Sequence, residues 1–230
     1  MTRKDVDGTM TTVTLEPVAA RPQSLTDIAF DRIRTAILTR KLEPGTRVSE
    51  AMLGEMLQVS KTPVREALLR LCHVGLVEPT TRGLRVVLPN ATSIRNAYEV
   101  RTGLEGTAAE LAATRATDKQ RAEIITAAAN SLQYARSEDS EAFALWDRAF
   151  HVSVAAASGN VLLAKAVEDA VILAFTLRSR DVMTVDDSVR CGRHHVNISK
   201  MIKKGDSEQA SKQMRDHIIS VTQFVLSAVS

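Results

Sequence analysis

Pro44 to Leu71 reads PGTRVSEAMLGEMLQVSKTPVREALLRL, and its caps and apolar spacings decide the fold of the N-terminal part of the chain. Ser49 stands where a serine hydroxyl can take an orphan backbone N–H, which predicts a helix from there to about Gln58. Met52, Leu53, Met56 and Leu57 recur at helical spacing, so all four are expected on one buried face. Ser60 is placed to cap the next helix, and Pro63 falls in its first turn, where a missing N–H costs nothing. Val64, Leu68 and Leu71 then form an i, i+4, i+7 stripe toward the core. The outward face is left with Lys61, Thr62, Arg65, Glu66 and Leu69.

Two short helices with a tight break, the second opening on cationic and polar side chains, suit the reading of a DNA major groove. The groove admits a helix N-terminus, whose dipole favours phosphate. Beyond Gly75, the segments Leu76–Pro79 and Leu84–Leu88 read as two strands around a turn at Thr80 to Gly83. Such a hairpin is a wing. Arg82 and Gly83 occupy its tip, from which a cation can enter the negative minor groove.

These residues resemble the winged helix-turn-helix domain of the GntR superfamily of bacterial transcription regulators, over about Ser24 to Leu88. The family's serine-basic-threonine-proline-valine-arginine-glutamate run, which opens its recognition helix, matches Ser60 to Glu66. The resemblance implies DNA contact by Ser60, Lys61, Thr62 and Arg65, with Arg82 and Gly83 from the wing. Lys61 stands where arginine is usual; a lysine lacks the bidentate fork that reads guanine, so a phosphate contact is expected there.

Charge agrees without deciding. The 230 residues carry a formal net charge of +3, and residues 24–89 alone hold ten Lys or Arg against seven Asp or Glu, the whole excess. With 44% apolar but only 3% aromatic residues, the composition suits helices packed through Ala, Leu, Val and Ile. No run approaches the ~20 apolar residues of a membrane span, and no signal peptide is evident, so a cytoplasmic protein with no membrane partner is expected. Cys72 and Cys191 lack metal-type spacing and read as two reduced, structural thiols. Residues 1–23 show no period and read as a flexible tail.

The predicted fold class is mainly α: a winged domain over 24–89, then an all-α antiparallel bundle of six or seven helices over 92–230. Six helices are expected at about 92–115, 118–136, 139–157, 160–180, 186–204 and 206–228. Their breaks fall at Thr117-Asp118, Ser137-Glu138-Asp139, Ser158-Gly159-Asn160 and Gly205-Asp206. Four of the five histidines, His151, His194, His195 and His217, lie in this half. Asp147 and His151 stand four apart on one helix and can grip one ion, whereas an isolated helical histidine is more often an ordinary hydrogen-bonded group. Trp146 beside them reads as core packing.

The segments EVRTGLEGTAAELAA, WDRAFH, HHVNISKMIKKGD and MRDHI, taken in order, resemble the successive motifs of FadR-like regulators that carry the FCD ligand-binding domain. They span nearly all of residues 94 to 220. The resemblance implies a divalent metal held by Asp147, His151, His195 and His217, with His194 outside the set. Zinc is the first expectation; nickel, manganese or iron are the alternatives. Arg101 matches an arginine near the family's pocket and could pair with a carboxylate effector, or else with Glu105 one turn on.

The function so implied is a ligand-responsive repressor. A homodimer would hold a near-palindromic double-stranded operator and sense a small organic acid at the metal. A metal-dependent enzyme and a sensor of the metal alone are the alternatives. No general base stands out beside the four ligands, and an enzyme would leave the winged domain unexplained, so no catalytic residue is expected.

Overall fold

The computed structural model describes residues 2–4, 10–12, 24–178 and 183–227. Of residues 1–23, only a ladder of β1 (Thr2–Lys4) against β2 (Met10–Thr12) is described. The rest of the expected flexible tail lies outside the described residues.

In the N-terminal domain α1 (Leu25–Leu38) starts at Ser24, whose Oγ accepts from the Asp27 N–H. α2 (Glu50–Leu57) starts at Ser49 in the same way, with Met52 donating its N–H at 3.2 Å. α3 (Lys61–His73) presents Pro63, Val64, Ala67, Leu68 and Leu71 to a core completed by Phe30, Ile33, Ile37 and Leu53. β4 (Val77–Thr80) and β5 (Gly83–Val86) form the wing, and β3 (Arg47–Val48) adds a strand on the far side of β5. That third strand was not legible beforehand, since two residues carry no period.

Two local expectations change. Met56 is exposed (66%), because the eight-residue α2 buries Leu53 and Gly54, and a Cβ at Gly54 would stand 3.0 Å from the Val59 carbonyl. The buried face is therefore turned away from Met56. Ser60 is the N-cap of α3 but makes no side-chain cap hydrogen bond. The residue three places on is Pro63, which has no N–H to offer, so one of the two usual capping donors is missing.

The bundle consists of α4 (Ala91–Arg115), α5 (Asp118–Arg136), α6 (Ser140–Ala157), α7 (Val161–Leu177), α8 (Val185–Lys204) and α9 (Ser207–Ser227). Capping boxes at Asn90/Ser93, Thr117/Gln120 and Thr184/Asp187 start α4, α5 and α8, and Gly205 at φ +76° ends α8. α7 stops at Leu177, short of the expected 180, with Arg178 as its cap in extended conformation. Ala108, Ala109, Ala112 and Ala113 are fully buried and let α4 lie close to its neighbours α7 and α9. At Gly192 a Cβ would stand 2.6 Å from the Leu132 Cα, so only glycine permits this approach of α8 to α5. No helix among the described residues is long and apolar enough to cross a membrane.

The seam between the domains is specific. Ile172 of α7 is part of the N-terminal core, Arg34 Nη1 meets Glu168 Oε1 at 3.1 Å, and Arg40 Nη2 donates to the Arg178 carbonyl at 2.5 Å.

Candidate functional site

The outward face of α3 carries Ser60, Lys61, Thr62 and Arg65, all exposed, and Leu69 beside them is 63% exposed. Arg65 is not idle: its Nε and Nη2 make a forked pair with Glu50 Oε1 and Oε2 at 2.9 and 3.2 Å. This contact reaches back to the start of α2 and was not foreseen. The hydrogen bonds from Arg65 pull the Glu50 carboxyl below its ordinary value. At the wing tip Thr80 Oγ1 accepts from the Arg82 N–H and donates to the Gly83 carbonyl. Gly83 takes φ +108° with open space around it, and the Arg82 side chain is exposed. Recognition helix and wing therefore offer cations to solvent without an apolar cover.

Inside the bundle the arrangement is the reverse. Asp147 and His151 of α6, His195 of α8 and His217 of α9 are each at most 2% exposed. Their donor atoms form a closed ring: Asp147 Oδ1 to His151 Nε2 is 3.5 Å, His151 Nε2 to His217 Nε2 3.4 Å, His217 Nε2 to His195 Nε2 3.3 Å, and His195 Nε2 to Asp147 Oδ1 3.4 Å. Donors bound to one cation at about 2.0–2.2 Å stand about 3.0–3.5 Å apart, so neighbours around the ring are spaced as ligands are, and the mutually close donors form two groups that share His195: His151, His195 and His217, and Asp147, Cys191 and His195.

Each imidazole is aimed by its other nitrogen. His151 Nδ1 faces Glu105 Oε2 of α4, His195 Nδ1 lies 2.9 Å from Ser131 Oγ of α5, and His217 Nδ1 lies 3.5 Å from His194 Nδ1. All three Nε2 atoms are thereby turned inward, which is the outer support that metal-binding histidines ordinarily have. Phe150 stacks on His195 with centroids 4.2 Å apart and fixes that ring. The support that Glu105, Ser131 and His194 give to these rings was not read from the sequence, where Glu105 figured only as a partner for Arg101.

The electrostatics suit a cation. Burial alone would raise the Asp147 carboxyl, but the His151 hydrogen bond and the Arg178 charge hold it far below the usual carboxylate range. Burial presses His195 down to about 3 and His217 well below its ordinary value, so both present lone pairs at neutral pH. For His151 burial is outweighed by the Glu105 charge, which raises it. Glu105, despite burial, is lowered to about 2 by Arg101 and His151. An ionised carboxylate with three imidazoles is a donor set for a first-row divalent ion.

Of the two partners expected for Arg101, the structure shows Glu105. Its Nε donates to Glu105 Oε1 at 2.6 Å, while its Nη2 is buried with no hydrogen-bond partner among the described residues. A buried guanidinium N–H without an acceptor is costly, and an anion's oxygen would satisfy it. Arg178 Nη1 stands 3.4 Å from Asp147 Oδ2 and also lines a cleft of about 370 Å³ between the domains, with Arg40 and Arg148. Cys191, expected only as a structural thiol, lies against the ring, its Sγ 3.7 Å from both Asp147 Oδ1 and His195 Nε2. Its place one turn before His195 was the available signal. Trp146 is partly buried and packs on the bundle core.

Comparison with known proteins places both halves. Residues 25–84 match the model of bacterial regulatory proteins, gntR family, and residues 96–220 match the FCD domain. The chain is similar to the probable D-xylose utilization operon transcriptional repressor of Paenarthrobacter nicotinovorans, at 31% identity over 194 residues, 82% of this chain and 83% of that protein. It is similar to the Nta operon transcriptional regulator of Aminobacter aminovorans, at 29% identity over 178 residues, 76% and 82% of the two. Among solved structures, E. coli McbR/YncC has the same fold, with a TM-score of 0.77 at 20% identity over 91% of this chain and all of that one.

Proposed function

The chain belongs to the gntR family of bacterial regulatory proteins and carries an FCD domain, and from that premise we propose that it is an acid-responsive repressor with a divalent metal at its sensing site. Regulators of this family bind DNA operators, and the family match speaks against an enzyme, which sets aside the metalloenzyme alternative. Ser60, Lys61, Thr62 and Arg65 read the operator, with Arg82 and Gly83 at the wing; a homodimer presents two such surfaces to a near-palindromic site. That a relative is named an operon repressor supports repression over activation.

The observation that carries the sensing half is the convergence of three Nε2 atoms and one carboxylate oxygen in a single ring. Asp147, His151, His195 and His217 would hold the ion, zinc first among candidates, and it would supply an open coordination position for a carboxylate oxygen. The unpartnered Nη2 of Arg101 favours an organic acid as effector over a sensor of metal alone. Arg178 joins the halves: its guanidinium faces the ligand Asp147, while its carbonyl accepts from Arg40 of α1. An acid that binds the two arrangements of this joint with different strengths shifts operator affinity.

The test is retention of the protein's own upstream fragment by chelated, metal-loaded, and metal-plus-acid protein. The expected outcome is tight, sequence-selective retention that at least one small carboxylate relieves about fivefold or more, the scale of ordinary allosteric coupling. In Arg178→Met both metal content and operator binding should survive, but the response should fall away. Retention indifferent to every metal and acid would overturn the sensing half and leave only the DNA-binding assignment.

A further inference from the structure

We infer that Cys191 is a fifth protein ligand of the cation proposed at Asp147, His151, His195 and His217, making this a mixed nitrogen, oxygen and sulfur site; the inference rests on that metal reading. Cys191 is 3% exposed and sits one helical turn before His195, on the same face of α8. Its Sγ lies 3.7 Å from Asp147 Oδ1 and 3.7 Å from His195 Nε2, so it stands over one edge of the donor ring. Asp147, Cys191 and His195 form a second group of mutually close donor atoms sharing two members with the ring. With bonds of about 2.3 Å to sulfur and about 2.1 Å to nitrogen or oxygen, neighbouring donors on a five-coordinate ion stand about 3.1 Å apart at 90° and about 3.8 Å apart at 120°. The 3.7 Å separations from Asp147 and His195 fall at the wide end of that range.

Gly192 next to it brings α8 close to the Leu132 backbone. Cys72, by contrast, is half-buried in the N-terminal domain, packed against that domain's core. On coordination the Sγ–H bond of Cys191 breaks, its proton leaves to solvent, and the sulfur lone pair binds the cation with no change of oxidation state. A thiolate biases the site toward zinc or cobalt and away from manganese, which prefers oxygen donors.

The experiment is cobalt(II) loading of the full-length chelated protein, followed by absorption from the near ultraviolet to the visible. The expected result is a thiolate-to-cobalt charge-transfer band together with visible ligand-field bands. In Cys191→Ser the charge-transfer band is lost while the ligand-field bands remain, and Cys72→Ser leaves both. Ligand-field bands without a charge-transfer band in the unmodified protein would overturn the role of Cys191 alone. No cobalt bands at all, with zinc and nickel also unbound, would overturn the metal reading itself. Should Cys191→Ser fail to fold, X-ray absorption at the zinc edge of the unmodified protein decides the matter by the presence or absence of one sulfur at about 2.3 Å.

Discussion

The two functional regions of this chain are built on opposite plans. The proposed DNA-reading face gathers its groups from one short stretch, Ser60 to Arg65, with one exposed hairpin tip, and leaves them in solvent. The candidate metal centre draws on α6, α8 and α9 for ligands and on α4, α5 and α8 for support, and buries all of these groups except His194, which is half-buried. A surface of the first kind tolerates loss of a member by degrees, since exposed ion pairs are screened by water and salt. A ring of the second kind tolerates less, because His151 and His195 are aimed by the buried Glu105 and Ser131, which no solvent replaces.

The sharpest test of that contrast is His195→Ala. It removes a ligand and leaves Ser131 and Cys191 beside a gap, so metal affinity should fall by more than the about 10–100-fold typical of losing an outer-shell partner. Equilibrium dialysis of zinc measures this. Operator binding in the absence of effector should persist, since α3 and the wing touch none of these residues; full metal occupancy in the variant would break the four-ligand proposal.

Arg65→Ala comes next in size. A guanidinium that forks onto a base or phosphate contributes about 1–3 kcal/mol of discrimination, so operator affinity should drop about ten- to a hundredfold with metal content unchanged. Fluorescence anisotropy on a labelled operator reads the loss, and a variant that binds as tightly as the parent would remove Arg65 from the reading surface.

The same division explains what could be read in advance. Ser49, Asn90, Thr117 and Gly205 mark helix ends because a cap is settled within four residues, and the expected bundle helices match the observed ones to within a few residues. Asp147 and His151 could be paired by spacing alone, whereas joining them to His195 and His217 needed the family resemblance. The support given by Glu105 and Ser131 is a product of packing between helices far apart in sequence, and no local pattern announces it. Met56 failed for a related reason: periodicity gives a stripe, but which edge of the stripe meets the core depends on the neighbour across it. Cys191 carried a usable hint, an i, i+4 relation to His195, hidden by attention to cysteine–cysteine spacing.

Acid separates the regions by a smaller effect. In the metal-free folded state burial holds His195 at about 3 and His217 well below its ordinary value, while in the unfolded chain both return to about 6.5. As pH falls from 6.5 toward 3 the unfolded chain takes up protons that the folded bundle refuses, so stability declines through that window. His151 acts in the opposite sense, being raised by Glu105, and offsets part of the loss. The net of two against one should lower the melting temperature of chelated protein by about 2–4 °C or more between pH 7 and pH 5, the equivalent of about 1 kcal/mol. Bound metal should remove the slope near neutrality, since ligated nitrogens carry no proton. Calorimetry of both forms across the range measures it, and identical slopes would detach the histidines from the metal.

The smallest effect probes the surface alone. Glu50 holds Arg65 by Nε and Nη2, which fixes the plane of the guanidinium and leaves Nη1 outside the pair, the group that the proposed reading would offer to DNA. Glu50→Gln loosens that plane and also removes a negative charge next to phosphate. Affinity for unrelated DNA should therefore rise at low salt, while the ratio of operator to unrelated affinity falls by a few fold, consistent with the about 0.2–1 kcal/mol of an exposed pair. Because both partners are solvated, the rise should vanish as salt is increased, whereas the lost ratio should persist. A ratio that recovers in salt would mean that Glu50 acts on Arg65 only as a charge and not as a guide for its geometry.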